Sequence, residues 1–146
     1  MSSSEFIEKF FDKKYEKLSF KELCKAPVSA ISGIGESDAA DLKKAFGIDT
    51  VEELATNKNV LLSQGINCFS RSSGMILDKK FESAEFEELR KKPVSAVSGI
   101  SESDAALLKR AFGIDTIQEL AENKYVVIAQ FVTALASLAK ILGVSL

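Results

Sequence analysis

The sequence predicts an all-α fold: tandem repeats related by internal pseudo-symmetry, followed by a long apolar C-terminal helix. Three observations carry this. Residues 27–60 return as residues 93–126, with 26 of 34 positions identical, no gap and a constant offset of 66. Apolar side chains recur at helical spacing through most of the chain. No run alternates apolar and polar residues with β-branched enrichment, so the signature of a strand is missing.

Taken in order, Phe6, Ile7, Phe10, Phe11, Tyr15 and Leu18 form a broad apolar stripe and predict one helix over 5–17. Ser19 with Glu22 reads as a capping box, in which each side chain bonds the other residue's backbone N–H. It opens a short helix through Cys24. Pro27 suits the first turn of the next helix, where its missing N–H would be unpaired anyway, and Gly33 stops that helix within two turns. A helix over 36–46 follows, with Ala39, Leu42, Ala45 and Phe46 on its inner face and Gly47 as the left-handed residue ending it. Thr50 with Glu53 opens another short helix carrying Leu54, and Asn57 ends it. The second copy repeats these signals at Gly99, Gly113, Thr116 with Glu119, Leu120 and Asn123.

Beyond the repeated core the copies diverge. Residues 125–142, YVVIAQFVTALASLAKIL, read as one long helix whose polar residues Gln130, Thr133, Ser137 and Lys140 form a narrow stripe. That stripe and the many alanines favour a helix buried in the protein over one crossing a bilayer. The equivalent 59–77 stretch carries Gly65, Gly74 and the polar run Ser70-Arg71-Ser72-Ser73. Symmetry argues for helix there and the glycines for a weak or bent point. A looser match joins 11–24 to 77–90, with Asp12-Lys13-Lys14 returning as Asp78-Lys79-Lys80. The unit is thus about 66 residues long, and the expected organisation is 1–69 and 70–146, packed together as one compact unit.

The bulk numbers narrow the function. The 146 residues include 46% hydrophobic and 27% charged residues and ten Phe, enough for a core without disulfides or metal. The net charge of −2 lacks the basic excess of a dedicated nucleic-acid binder. Histidine is absent, which removes the commonest general base and metal ligand. Cys24 and Cys68 form no CxxC pair, and their counterparts are Arg90 and Ala134, so they read as reduced thiols of a cytoplasmic protein. The opening MSSSEFIEKFF has no basic region followed by an apolar run, so no signal peptide is expected.

Residues 31–42, ISGIGESDAADL, resemble the helix-hairpin-helix motif, apolar-x-Gly-apolar-Gly-x-x-x-Ala-x-x-Leu. The continuation at 46–55, FGIDTVEELA, is similar to the Gly-Ile-x-Thr segment that leads into another short helix in this SAM-like family. The resemblance covers about half of each repeat and implies two short helices crossing at a tight glycine turn. Ala39 would then allow close approach, with Ile31, Ile34 and Leu42 filling the shared core. In DNA-binding members the hairpin amides and the second helix's N-terminus hold a phosphate, aided by nearby Lys or Arg. Carried onto this sequence, the candidate nucleic-acid contacts are Gly33, Gly35, Lys43 and Lys44, then Gly99, Ser101, Lys109 and Arg110.

The residues around those turns oppose that use. Glu36, Ser37 and Asp38 follow the first turn and Glu102, Ser103 and Asp104 the second. Acidic side chains in a first helical turn complement the helix dipole themselves and repel a phosphate. Ser101 also replaces the second glycine. The expectation is therefore a non-catalytic interaction or scaffolding module whose partner is another protein or a second copy. The alternative is sequence-nonspecific DNA or RNA binding through the hairpin amides. No enzyme is expected, since no Ser-His-Asp set, metal-ligand cluster or GxxxxGK loop occurs, and there is no room for the larger catalytic domain of glycosylase relatives. No cofactor, metal or membrane partner is expected. The pairs Glu36/Asp38 and Glu102/Asp104 read as caps ahead of cation ligands.

Overall fold

The computed structural model describes residues 1–76 and 84–145, with side chains for 1–70 and 85–145. The Lys79-Lys80 pair and the loose repeat match over 77–83 lie outside the described residues. Among the described residues the elements are helical, joined by isolated antiparallel bridges instead of strands.

Helix α1, Ser3–Phe10, opens on a capping box between Ser2 and Glu5. It ends well before the predicted residue 17. Phe11 is extended, Asp12 N–H donates to the Ala30 carbonyl (2.9 Å) and Ser32 N–H to the Phe10 carbonyl (2.8 Å). Pairing with the repeat core outcompetes two further helical turns and sends the Phe11 ring into the interior. Only a 3-10 turn, Lys13–Tyr15, remains of the expected helix there.

Helix α2, Phe20–Lys25, starts at the expected box: Glu22 N–H donates to Ser19 Oγ (3.2 Å) and Ser19 N–H to Glu22 Oε2 (2.9 Å). It buries Phe20, Leu23 and Cys24. Pro27 lies before, not inside, a single 3-10 turn, Val28–Ala30. It is bridged to Thr50, with Val28 N–H donating to the Asp49 carbonyl (2.8 Å) and Val51 N–H to Ala26 (3.1 Å). Helix α3, Glu36–Phe46, matches its expected span, and α4, Val51–Thr56, and α5, Lys58–Ile76, follow. Asn57 both ends α4 and opens α5, accepting from the amides of Asn59 and Val60. The second copy gives α6, Ala84–Leu89, a 3-10 turn Val94–Ala96, α7, Glu102–Phe112, α8, Ile117–Ala121, and α9, Lys124–Leu142, which Asn123 caps.

The repeats interlock. Helix α3 packs on α7; α9 lies on α2 and α4 of the first copy, and α5 lies on α6 and α8 of the second. Each long helix thus covers the other copy, and one buried cluster runs through both. Helix α5 passes through residues 69 and 70 without a break, so the 69/70 division falls inside it. At the pseudo-two-fold, Gln64 and Gln130, 66 residues apart, exchange amide bonds of 2.8 and 2.7 Å. Each also donates 3.2 Å to a carbonyl, Gln64 to Ala121 and Gln130 to Ala55, again 66 apart. Gln64→Leu leaves Gln130 half-satisfied and is expected to cost about 1–3 kcal/mol. In a urea double-mutant cycle, Gln64→Leu/Gln130→Leu should cost less than the two single changes together.

Both long helices carry polar side chains on their buried faces and apolar ones on their exposed faces. Helix α9 buries Val126, Ala129, Val132 and Ala139, and Gln130 and Thr133 from its polar stripe face inward. Val127, Phe131, Leu138, Ile141 and Leu142 are exposed, so α9 is covered on one side only. Within Ile117–Leu142, which spans α8 and α9, an 18-residue window has mean hydropathy 1.8, long and apolar enough by composition to cross a bilayer. Helix α5 buries Asn59, Ser63, Asn67 and Ser70 and exposes Leu61, Leu62 and Phe69. Cys24 and Cys68 are free thiols. Burial pushes the Cys24 thiol pKa up, which keeps it protonated beside Val132 and Thr133.

Candidate functional site

The site consists of two hairpins, 31–36 and 97–102. In each, a turn is closed by an amide donating three residues back: Ile34 to Ile31 and Ile100 to Val97, both 3.1 Å. Gly33 and Gly99 carry φ of +98° and +96°, a region that L side chains rarely adopt, so the first glycine is dictated by the backbone. Gly35 is extended, at φ −77°, and its counterpart Ser101 sits at −76°. Any residue adopts that conformation, which is why serine replaces glycine without reshaping the turn.

One amide of each hairpin turn is occupied from within. Gly35 N–H donates to Asp38 Oδ2 (3.1 Å) and Ser101 N–H to Asp104 Oδ2 (3.2 Å). Ser101 Oγ in turn accepts from Asp104 N–H (3.0 Å), completing a capping box. The candidate basic contacts are engaged too. Lys43 pairs with Asp49 and Lys109 with Asp115; each carboxylate raises its lysine's pKa. Arg110 reaches across α3 and α7 to Asp41, its Nε donating to Oδ2 at 3.0 Å and its terminal nitrogen to Oδ1. This bidentate bond holds the Asp41 carboxyl below its usual range, and Lys44 adds a favourable charge nearby. All eight candidate residues are solvent-exposed, but Lys43, Lys109 and Arg110 already have carboxylate partners.

Asp41, at a variable position of the motif, and Tyr125, outside it, also shape the site. Asp41 is buried and is the cross-repeat partner of Arg110. Its sequence signal is a paired asymmetry: the copies differ at 41/107, Asp against Leu, and at 44/110, Lys against Arg. Tyr125 lies over the first hairpin, donating its hydroxyl to the Gly33 carbonyl (3.3 Å) and packing on Phe112 with ring centroids 5.2 Å apart. The residue equivalent to Tyr125 is Asn59, and a Cβ added at Gly99 would meet nothing within 4 Å. The Tyr125 ring thus lies beside the first turn glycine, and nothing comparable lies beside the second.

A family model, the SAM-like helix-hairpin-helix tandem, matches residues 20–66, from the start of α2 into α5. This segment is similar to the helix-hairpin-helix family. The matched part is about a third of the chain. The second copy shares the helix-hairpin-helix architecture through its 26 identical positions and its equal turn geometry. No curated protein and no solved structure matches the chain.

Proposed function

We propose that this helix-hairpin-helix chain is a non-catalytic interaction module in which the hairpins build the fold instead of clamping phosphate. One observation carries the reading: one amide of each hairpin, Gly35 and Ser101, and three of the four nearby basic side chains are bound by the chain's own carboxylates. A phosphate would have to displace Asp38 or Asp104 from a helix N-terminus whose dipole already favours that carboxylate. Meanwhile the long helices present apolar side chains to solvent, the feature of an interaction surface.

Sequence-nonspecific nucleic-acid binding is the second reading, and the open turn at Gly99 favours it. Fluorescence anisotropy with labelled single-stranded and duplex oligonucleotides at low salt separates the two. The expected result is no saturable binding tighter than roughly 100 µM, the weak end of nonspecific affinities. Micromolar binding that falls steeply with salt and is lost in Lys109→Glu would establish the second reading instead.

A further inference from the structure

We propose that α6 is a latch: a helix hinged at its C-terminal end that opens from α5 while the rest of the chain stays folded. The proposal goes beyond the interaction-module reading and does not depend on it. The first copy is the standard of comparison, because α6 is the counterpart of α2. In and just after α2, Phe20, Leu23, Cys24 and Ala26 are all buried members of the core cluster. Sixty-six residues on stand Phe86, Leu89, Arg90 and Lys92. Phe86 and Arg90 are half-buried, Leu89 is 38% exposed and Lys92 is exposed. None of the described α6 side chains joins the core cluster. The cause is at 90 and 92. A guanidinium and an ammonium cannot take the places of a thiol and a methyl without a large desolvation cost, so α6 does not seat as deeply as α2.

Among the described residues, α6 is tied to α5 by the Phe86 ring on Phe69, centroids 4.5 Å apart, and by Ser70 Oγ donating to Glu87 Oε2 at 2.8 Å. Phe69 is itself 37% exposed. The cations paired with Glu87 are Arg90 and Lys91, three and four residues on. Those pairs hold the helix to its own last turn and not to α5. The C-terminal end is different. The carbonyls of Arg90 and Lys92 accept from the amides of Gln118 (2.8 Å) and Ile117 (3.1 Å), which pins residues 90–92 to the start of α8. Glu122 adds a favourable charge near Arg90. A short helix weakly held along its length and fixed at one end has the geometry of a latch.

Helix α5 favours release as well. Asn67 stands where α9 has Thr133, which meets the Cys24 thiol of α2 at 3.8 Å. By that symmetry Asn67 lies on the face that α6 covers. Its Nδ2 donates to Glu122 Oε1 (3.3 Å), but its Oδ1 is buried without a partner. A buried acceptor left unpaired is destabilising, and water entering on opening removes that penalty. Elements with few buried apolar contacts are the ones that open by themselves. Opening gives the folded chain a second conformation, in which the α5 face carrying Asn67 and Ser70 is reached by solvent.

Amide hydrogen exchange of the full chain, followed by NMR at neutral pH, tests the latch. The probe is the Arg90 amide, which donates to the Phe86 carbonyl (3.1 Å), and its reference is the amide of Cys24. After correction for intrinsic rates, Arg90 should exchange about 100-fold faster or more. Low urea should leave its rate unchanged while speeding Cys24, the mark of a local opening against a global one. Phe69→Ala removes one of the two ties and should speed Arg90 by roughly fivefold while Cys24 stays as it was. Equal protection of the two amides overturns the latch. So does a Phe69→Ala variant in which both amides speed up alike, since α6 would then open only when the whole chain unfolds.

Discussion

Phe11→Ala should lower the free energy of unfolding by about 3–5 kcal/mol, the cost of truncating a buried aromatic and leaving its cavity. The ring is 1% exposed. It sits where the N-terminal segment leaves α1 and pairs with the first hairpin through the bridge to Ile31. A domain of this size is stable by about 5–15 kcal/mol, so the loss would be a large fraction of the total. Phe10→Ala, one residue earlier, is the control. Phe10 is half-buried and contacts Phe6 with centroids 4.8 Å apart at the edge of the core, so its loss should be clearly smaller. Urea unfolding followed by circular dichroism measures both. A Phe11→Ala loss no greater than that of Phe10→Ala would show that the segment is not docked in solution.

That contrast also shows where the sequence stops being legible. The apolar stripe over 5–17 has genuine helical spacing, yet Phe11 and Ile31 meet through backbone bonds between segments 20 residues apart. Local periodicity cannot register such a competitor. Elements whose ends are written in their own side chains are readable: Ser19 with Glu22, the 36–46 helix with its terminal Gly47, and Thr50 and Thr116 each accepting from the amide three residues on. Glu53 departs from the full box, accepting from Asp49 N–H at 3.1 Å instead of Thr50. The inside of α9 is not readable in this way, because inward Gln130 looks like a solvent stripe until Gln64 is placed opposite it. Its polarity serves the pseudo-two-fold, and the apolar residues are left outside.

At the hairpins the motif residues and their acidic neighbours are visible in the sequence, and Asp38 and Asp104 do cap their helices. The partners of the basic residues are not. Asp49 and Asp115 lie six residues beyond their lysines, past the helix end, where no regular spacing predicts contact. Asp41 and Arg110 are brought together only because α3 packs on α7. Tyr125 reaches Gly33 across 92 residues, through the exchange of long helices that no single repeat reveals.

Gly33→Ala should cost about 2–5 kcal/mol, and Gly99→Ala about 1–3 kcal/mol, although the two glycines share one conformation. With φ of +98° and +96°, the backbone strain of adding a side chain is common to both. The difference is what the new methyl meets. At Gly33 a Cβ falls 2.6 Å from Tyr125 Oη and 3.2 Å from a ring carbon; at Gly99 it meets nothing within 4 Å. Relieving the clash requires the tyrosine to leave the Gly33 carbonyl and shift against Phe112. In a Tyr125→Ala background the Gly33→Ala cost should therefore fall to the Gly99→Ala value, measured by urea unfolding. If it does not, the strain alone sets the cost and the ring is no cover. Tyr125→Ala also uncovers the first hairpin without touching its carboxylates. Asp38 still takes the Gly35 amide and Asp41 still takes Arg110. On the interaction-module reading, oligonucleotide binding should be absent in that variant as well, because the internal carboxylates remain in place. Appearance of binding on removal of the ring would count against that reading.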